Sequence, residues 1–365
     1  MKLMPRWTVV ALAVAFMACL SGALQGADPV QQAEEAARAR DKAWKPATVQ
    51  VALIQVGNGR PAGALKNFCL DAQGNILACF VPSQAGAGQG PGIRVYSPDG
   101  KLVKTLPLEI NPGVVCAIKD GSIFVAGDGK LLKLDPAGKV LASAPSPVTV
   151  EPVEISKEME DMIAQQAEAM HRQAAAVKQE MKSSLESRRK EANGLAATDK
   201  DVFMTVGAPN DFTYRVYRFD DALQNSKLVV EKLRGCCGTM DVQAHDGKLF
   251  VAHNARHQVE IRDRDGAEIA KFGTQGKIKA SDFGGCCEPK CLRVLPGGDI
   301  LAAESGPPTC IKRFSAEGKF IEVVAVVPGG DGECVRVTVA ASPDGSRYYM
   351  LDTTKGAIRV FAAKG

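Results

Sequence analysis

Cys236-Cys237 in GCCGTMD and Cys286-Cys287 in GGCCEPKC place adjacent thiols at two points of the chain, and Cys334 follows at a third. Cys236, Cys287 and Cys334 each stand eleven residues ahead of a turn glycine, Gly247, Gly298 and Gly345. Neighbouring side chains on a strand point to opposite faces, so a Cys-Cys step is poor core filler. Two chemistries fit such pairs. In an oxidising compartment each pair closes an eight-membered vicinal disulfide that strains its own peptide and presents a rigid apolar plate to a ligand. Kept reduced, Cys236, Cys237, Cys286 and Cys287 together with His253 or His257 suit a soft metal such as Cu(I) or Zn. The spacing is not that of a CxxC…CxxC zinc site, and inert thiols are the third reading.

Other candidates gather around these pairs. His253, Glu304 and Asp352 close the apolar runs KLFVAH, DILAAE and RYYMLD, and Cys291 aligns with Asp241 when the two Cys-Cys segments are superposed. The duller reading of Glu304 and Asp352 is structural, an acid that holds the loop after its strand. Cys69 and Cys116 sit five residues before turn glycines and read as buried small hydrophobes. Cys79 has no assigned role.

The elements that must position these residues recur. An apolar residue, a second apolar or aromatic residue three later and a glycine seven after the first appear as Ile93, Tyr96, Gly100; Leu131, Leu134, Gly138; Ile311, Phe314, Gly318; and Ile358, Phe361, Gly365. Val259 and Gly266 repeat the pattern, and Val216 with Phe219 begins a copy without the glycine. Each copy follows two further short apolar strands, so six four-stranded meanders result, the signature of propeller blades. The sixth copy ends after its third strand. Residues 48–56, TVQVALIQV, form a lone strand free to complete it and close the ring, which removes an open edge. The expected fold is all-β: a six-bladed β-propeller closed by an N-terminal strand, with an inserted helical segment. In a meander the blade-to-blade connections and the turns between second and third strands share one face. That rule collects the cysteine pairs, Cys334, His253, Glu304, Asp352, His257, Cys310 and the Gly-rich loop at 82–92 at one mouth of the channel, and sends His245 to the other.

CLRVLPGGDILAAESGPPTCIKRFSAEGKFIEVVA resembles the blades of six-bladed NHL-type and gluconolactonase-like propellers, and the likeness covers residues 48–365 apart from one insertion. Such families include lactonases, an amidating lyase and binding modules, so fold does not choose the activity. A lactonase of this kind implies a Ca site of acidic and Asn side chains, and only Asn67 and Asn193 stand at matching positions. The lyase type implies histidines just after the blade-start proline, where this chain has Lys290, and Met240 in the matching blade. A quinoprotein implies docking tryptophans, whereas Trp7 and Trp44 both precede the blades. No GxSxG, Walker, HExxH or CxxCH motif occurs.

Residues 1–23 read as a signal peptide, with Lys2 and Arg6 before an apolar run and a small Ser-Gly-Ala end. Export to a periplasmic or secreted location would favour disulfides among the remaining cysteines, with membrane attachment only if the leader is retained. Residues 24–47 read as a tether or helix. The formal charge is +4, no footprint for nucleic acid. Residues 151–191 carry apolar residues at helical spacing, with no Gly or Pro from Ser156 to Ala192, a long helix or helical hairpin able to dock a partner helix. The functional expectation is an exported propeller that binds a small molecule or protein through its cysteine-rich mouth. The alternative is a metal-dependent, lactonase-like enzyme or metal-handling protein using that face.

Overall fold

The computed structural model describes Glu34, Arg38 and residues 42–56, 65–82, 90–149, 154–211, 213–235, 238–327 and 334–364. Two compact units emerge, Met1–Lys42 and Ala43–Gly365. In the first, Arg38 pairs with Glu34 one helical turn away at 3.9 Å. The second holds the sheets.

Its first strand, β1 (Thr48–Gln55), stands alone in sequence. Blade one is β2 (Leu65–Leu70), β3 (Ile76–Phe80), β4 (Gly92–Tyr96) and β5 (Leu102–Pro107), and blade two is β6 (Val114–Ala117), β7 (Ile123–Gly127), β8 (Lys130–Leu134) and β9 (Val140–Pro145). Blade three is β10 (Ala192–Ala197), β11 (Asp201–Gly207), β12 (Thr213–Asp220) and β13 (Lys227–Arg234), and blade four is β14 (Val242–His245), β15 (Lys248–His253), β16 (Gln258–Asp263) and β17 (Glu268–Phe272). Blade five is β18 (Cys291–Val294), β19 (Ile300–Glu304), β20 (Cys310–Phe314) and β21 (Phe320–Val326). Blade six has only β22 (Val339–Ala341), β23 (Arg347–Asp352) and β24 (Ala357–Ala363) of its own, and β1 supplies its fourth strand. The pairing runs antiparallel from Thr48 opposite Ala363 to Gln55 opposite Ala357. The ring therefore closes as the strand count requires.

Burial grades across each blade. The second strands β3, β7 and β19 are buried along their whole length, because neighbouring blades cover both of their faces. That is why their sequences, ILACF, IFVAG and ILAAE, are continuous apolar runs rather than alternating ones. The outermost strands β5, β9 and β17 are mostly exposed. Apolar clusters bridge blades one and two through Leu77, Ile93, Val115 and Leu134, and blades six and one through Ile54, Phe68, Tyr349 and Ile358. The six first strands contact one another in an unbroken circuit, β2, β6, β10, β14, β18, β22 and back to β2. They line the channel.

The glycines of the repeat are needed where blades approach. Gly266 has φ +93°, and a Cβ there would stand 1.8 Å from the carbonyl oxygen of Val229 in the preceding blade. Gly318, at φ +81°, leaves room for the Phe272 ring. Blade three, which lacks the glycine, turns instead through Leu223 and Asn225 at φ 61° and 50°.

The insertion is a hairpin of α1 (Lys157–Ala169) and α2 (Ala174–Arg188). Ser156 caps α1 by accepting from the Met159 N–H at 3.3 Å. The reversal occurs at His171, φ 51°, with the Arg172 N–H bonded to the Ala167 carbonyl at 2.8 Å. This is the helix stop that glycine ordinarily makes, so no composition signal marked it. Met159, Ile163, Ala167, Val177 and Leu185 form a core between the two helices. Among the described residues no helix is long and apolar enough to cross a membrane. The leader at 1–23 and most of the tether at 24–47 lie outside the described residues.

Candidate functional site at the channel mouth

Just before β18 the chain runs Gly284-Gly285-Cys286-Cys287-Glu288-Pro289-Lys290, and two carboxylates fasten this loop to the β19–β20 connection. Glu304, the last residue of β19, accepts the Gly284 N–H at 2.6 Å and pairs with the buried ammonium of Lys312. Glu288 Oε1 accepts from the Ser305 N–H, the Ser305 hydroxyl and the Gly306 N–H at 3.0, 2.9 and 2.8 Å. Gly285 and Gly306 approach so closely that a Cβ on Gly306 would lie 3.0 Å from the Gly285 Cα. The loop is built to hold its cysteines still.

Cys334, leading into β22 of the next blade, meets them. Cys286 Sγ lies 3.1 Å from Cys287 Sγ and 3.3 Å from Cys334 Sγ, and Cys287 Sγ lies 3.4 Å from Cys334 Sγ. Cys286 is exposed, Cys334 half-buried and Cys287 buried. Lys290, 1% exposed, donates from Nζ to Cys287 Sγ at 2.8 Å and to Cys334 Sγ at 3.1 Å. Burial alone would push the Lys290 ammonium down, but Glu288 and the two sulfurs outweigh it and hold it above its ordinary range. Burial pushes the Glu288 carboxyl up, to about 8, against the pull of Lys290. Lys290 is the firmer charge of the two, since it donates to two sulfurs while Glu288 Oε2 has no hydrogen-bond partner among the described residues.

The expected vicinal disulfide at Cys286-Cys287 is not formed, because 3.1 Å is far beyond the S–S bond length of about 2.05 Å. Cys334 stands almost equally close to both. Cys236 and Cys237, the other expected pair, lie outside the described residues, as does most of the Gly-rich loop at 82–92.

The histidines expected as ligands have other partners. His253 Nδ1 meets Glu260, and His253 Nε2 accepts the Arg234 N–H at 3.1 Å. Burial pushes Glu260 up, but His253 and Arg262 outweigh it and hold the carboxyl down at about 2. His253 is thereby a brace for blade four. His257 is nearer the thiols, with Nε2 3.4 Å from the Gly285 carbonyl oxygen, and burial lowers its pKa. Asp352 accepts the Lys355 N–H at 2.9 Å and pairs with Arg359, holding the loop after its strand. Cys291 belongs to the channel wall, where its sulfur accepts the Val339 N–H at 3.4 Å and is not among the converging thiols. Lys290 and Glu288 carried no role in the sequence reading. The cue was CCEPK itself, a cation and an anion beside paired thiols.

Below the mouth the channel narrows to a cavity lined by Asn67, Cys116, Asp241, Gln243, Arg293 and Thr338. Asp241, raised by burial, accepts the Leu292 N–H at 2.8 Å, and Arg293 donates to Gln243 at 3.3 Å. The residues do not fit the calcium site that the resemblance implied. Asn193 Oδ1 accepts from the Arg336 guanidinium at 3.3 Å, so a fixed cation stands beside that oxygen, and the Asn67 amide donates to Thr338 at 3.1 Å. Among the described residues, the side chains that converge as a metal donor set are Cys286, Cys287 and Cys334.

Comparison with known proteins leads to the same architecture. A gluconolactonase of Xanthomonas campestris aligns over 87% of this chain and 95% of its own, with a TM-score of 0.51 and 11% identity. The fold is a six-bladed β-propeller. A structural genomics protein of unknown function from Bacteroides thetaiotaomicron aligns over 86% of this chain and 76% of its own, with a TM-score of 0.56 and 12% identity. A chain of the mitotic checkpoint complex aligns over 95% and 98%, with a TM-score of 0.53 and 10% identity. No family model and no curated protein matches the sequence. At such identities the likeness is one of fold alone.

Proposed function

We propose that the protein is an exported binding module that engages a thiophilic ligand through Cys286, Cys287 and Cys334 at the channel mouth. The observation that supports this reading is the convergence of three sulfurs from two blades within 3.4 Å, two of them hydrogen-bonded to a buried ammonium. Thiols serving only as packing have no need of a lysine. Nor do they need an anchored loop to hold them in register. The enzymatic alternative draws on the gluconolactonase likeness, but the oxygen of Asn193, one of the two Asn expected at such a calcium site, already accepts from the Arg336 guanidinium.

Phenylarsine oxide tests the proposal, since one arsenic takes two thiols and releases one water. Reduced, native protein is expected to capture one equivalent, and the double variant Cys287→Ser/Cys334→Ser to bind it at least tenfold more weakly. Capture unchanged in the double variant would overturn the reading. So would calcium-dependent lactone hydrolysis that Asp241→Asn abolishes.

A further inference from the structure

The thiol site has a geometry that narrows its ligand. We infer that Cys286, Cys287 and Cys334 form a site for a single thiophilic d10 metal ion, Cu(I) or Zn(II), with Lys290 as an N–H···S donor to two of the ligands. The inference rests on the binding role proposed above and assigns the chemical class of what is bound.

Three observations carry it. The first is the shape of the trio. A disulfide draws two sulfurs together and leaves a third apart, whereas these separations of 3.1, 3.3 and 3.4 Å form a nearly equilateral triangle. Sulfurs sharing one tetrahedral ion at bonds of about 2.3 Å stand roughly 3.8 Å apart, so the triangle need open by only about half an ångström. Thiolates bound to different irons of a cluster stand much farther apart. The spacing therefore selects a mononuclear ion.

The second is the donor chemistry. Among the described residues the converging group is all sulfur, with Glu304 held by Lys312 and the Gly284 N–H, Asp352 by Arg359, and His253 by Glu260 and the Arg234 N–H. Soft donors select soft or borderline ions over calcium and magnesium, and a d10 ion imposes no geometry of its own. The third is Lys290. Its two charge-assisted contacts favour the thiolate over the thiol at Cys287 and Cys334, and metal ligands need deprotonated sulfur. A hydrogen bond to a ligand sulfur also fixes its direction. The Glu288 contacts to Ser305 and Gly306 and the Glu304 contact to the Gly284 N–H keep the loop in place, so the ligands are set before any ion arrives.

The test uses the full chain, reduced and kept from oxygen, with Zn(II) and Cu(I) offered separately against a competing chelator. One equivalent of one of the two ions is expected to survive, with an X-ray absorption spectrum showing a first shell of sulfur. Cys286→Ser, Cys287→Ser and Cys334→Ser should each weaken retention at least tenfold, while Cys116→Ser, in the channel wall, leaves it unchanged. Because a variant at buried Cys287 could fail to fold, alkylation of the native protein before metal addition serves as a second route and should abolish uptake. Retention below one-tenth of an equivalent for both ions overturns the inference. A first shell dominated by oxygen or nitrogen does too. If phenylarsine oxide is captured while neither metal is retained, the binding role stands and the metal assignment falls. If neither is captured, both fall.

Discussion

Among the described residues, two sets of cysteines occupy this propeller, and the same side chain does different work in each. Cys69, Cys79, Cys116, Cys291 and Cys310 lie inside the blades and are all buried. Burial pushes every one of these thiols up, Cys69 to about 12. At the mouth, Cys286, Cys287 and Cys334 converge beside a lysine. A thiol surrounded by hydrocarbon is a small hydrophobe, and one beside an ammonium is a nucleophile or a ligand. The environment, set by the fold, decides which.

The largest expected effect is in reactivity. In the native, reduced protein, iodoacetamide should modify Cys286 and Cys334 at least ~1,000-fold faster than the five blade thiols, which react only when the structure opens. Peptide mass spectrometry over time reads this directly. A blade cysteine modified at the mouth rate would break the comparison.

Next in size is the contrast between two buried lysines. Lys312→Met strands the buried Glu304 carboxylate and should cost about 3 kcal/mol in urea unfolding, whereas Lys290→Met, beside a Glu288 carboxyl that burial already pushes up, should cost less. Only Lys290→Met should also slow alkylation of Cys334 at neutral pH. Equal alkylation rates in the two variants would mean that the contact to the sulfurs has no chemical consequence.

A smaller difference is expected from serine substitution. Cys79→Ser buries a hydroxyl in an apolar cluster and should cost about 1–3 kcal/mol, whereas Cys286→Ser at the exposed rim should stay within about 0.5 kcal/mol of the parent. Matched denaturation midpoints for the two would erase the distinction between wall and mouth.

The smallest effect is a pH slope. An unfolded thiol ionises near 9 and folded Cys69 near 12, so the unfolded state gives up its proton first. The stability contributed by that thiol is whole below pH 9 and is lost as pH rises toward 12. Cys69→Ala should flatten the fall in stability between pH 8 and 10, whatever the substitution costs at pH 8. An unchanged slope would mean that Cys69 ionises in the folded chain as it does in the unfolded one.

What the sequence determined by itself is the architecture. Repeats such as Ile311, Phe314 and Gly318 are local patterns, and the count of strands in the last copy already required β1 to pair with β24. The register of Cys287 with Cys334 followed from the same repeat, because equivalent positions in neighbouring blades stand side by side. Asp352 as the holder of the loop after its strand was legible for that reason as well, whereas Glu304 holds the Gly284 loop ahead of β18 instead. Other features depended on long-range contacts that no window of sequence contains. His253 could not be separated from the thiols until Glu260 and the Arg234 N–H were seen to occupy its two ring nitrogens. Cys286 and Cys287 read as a pair until Cys334 arrived from the next blade at nearly the same distance. The helix reversal at His171 relied on a non-glycine residue in a left-handed conformation, which composition does not signal. Periodicity is a property of the chain and survives in its sequence, but which sulfur, ring or ammonium faces another is set only when the blades pack.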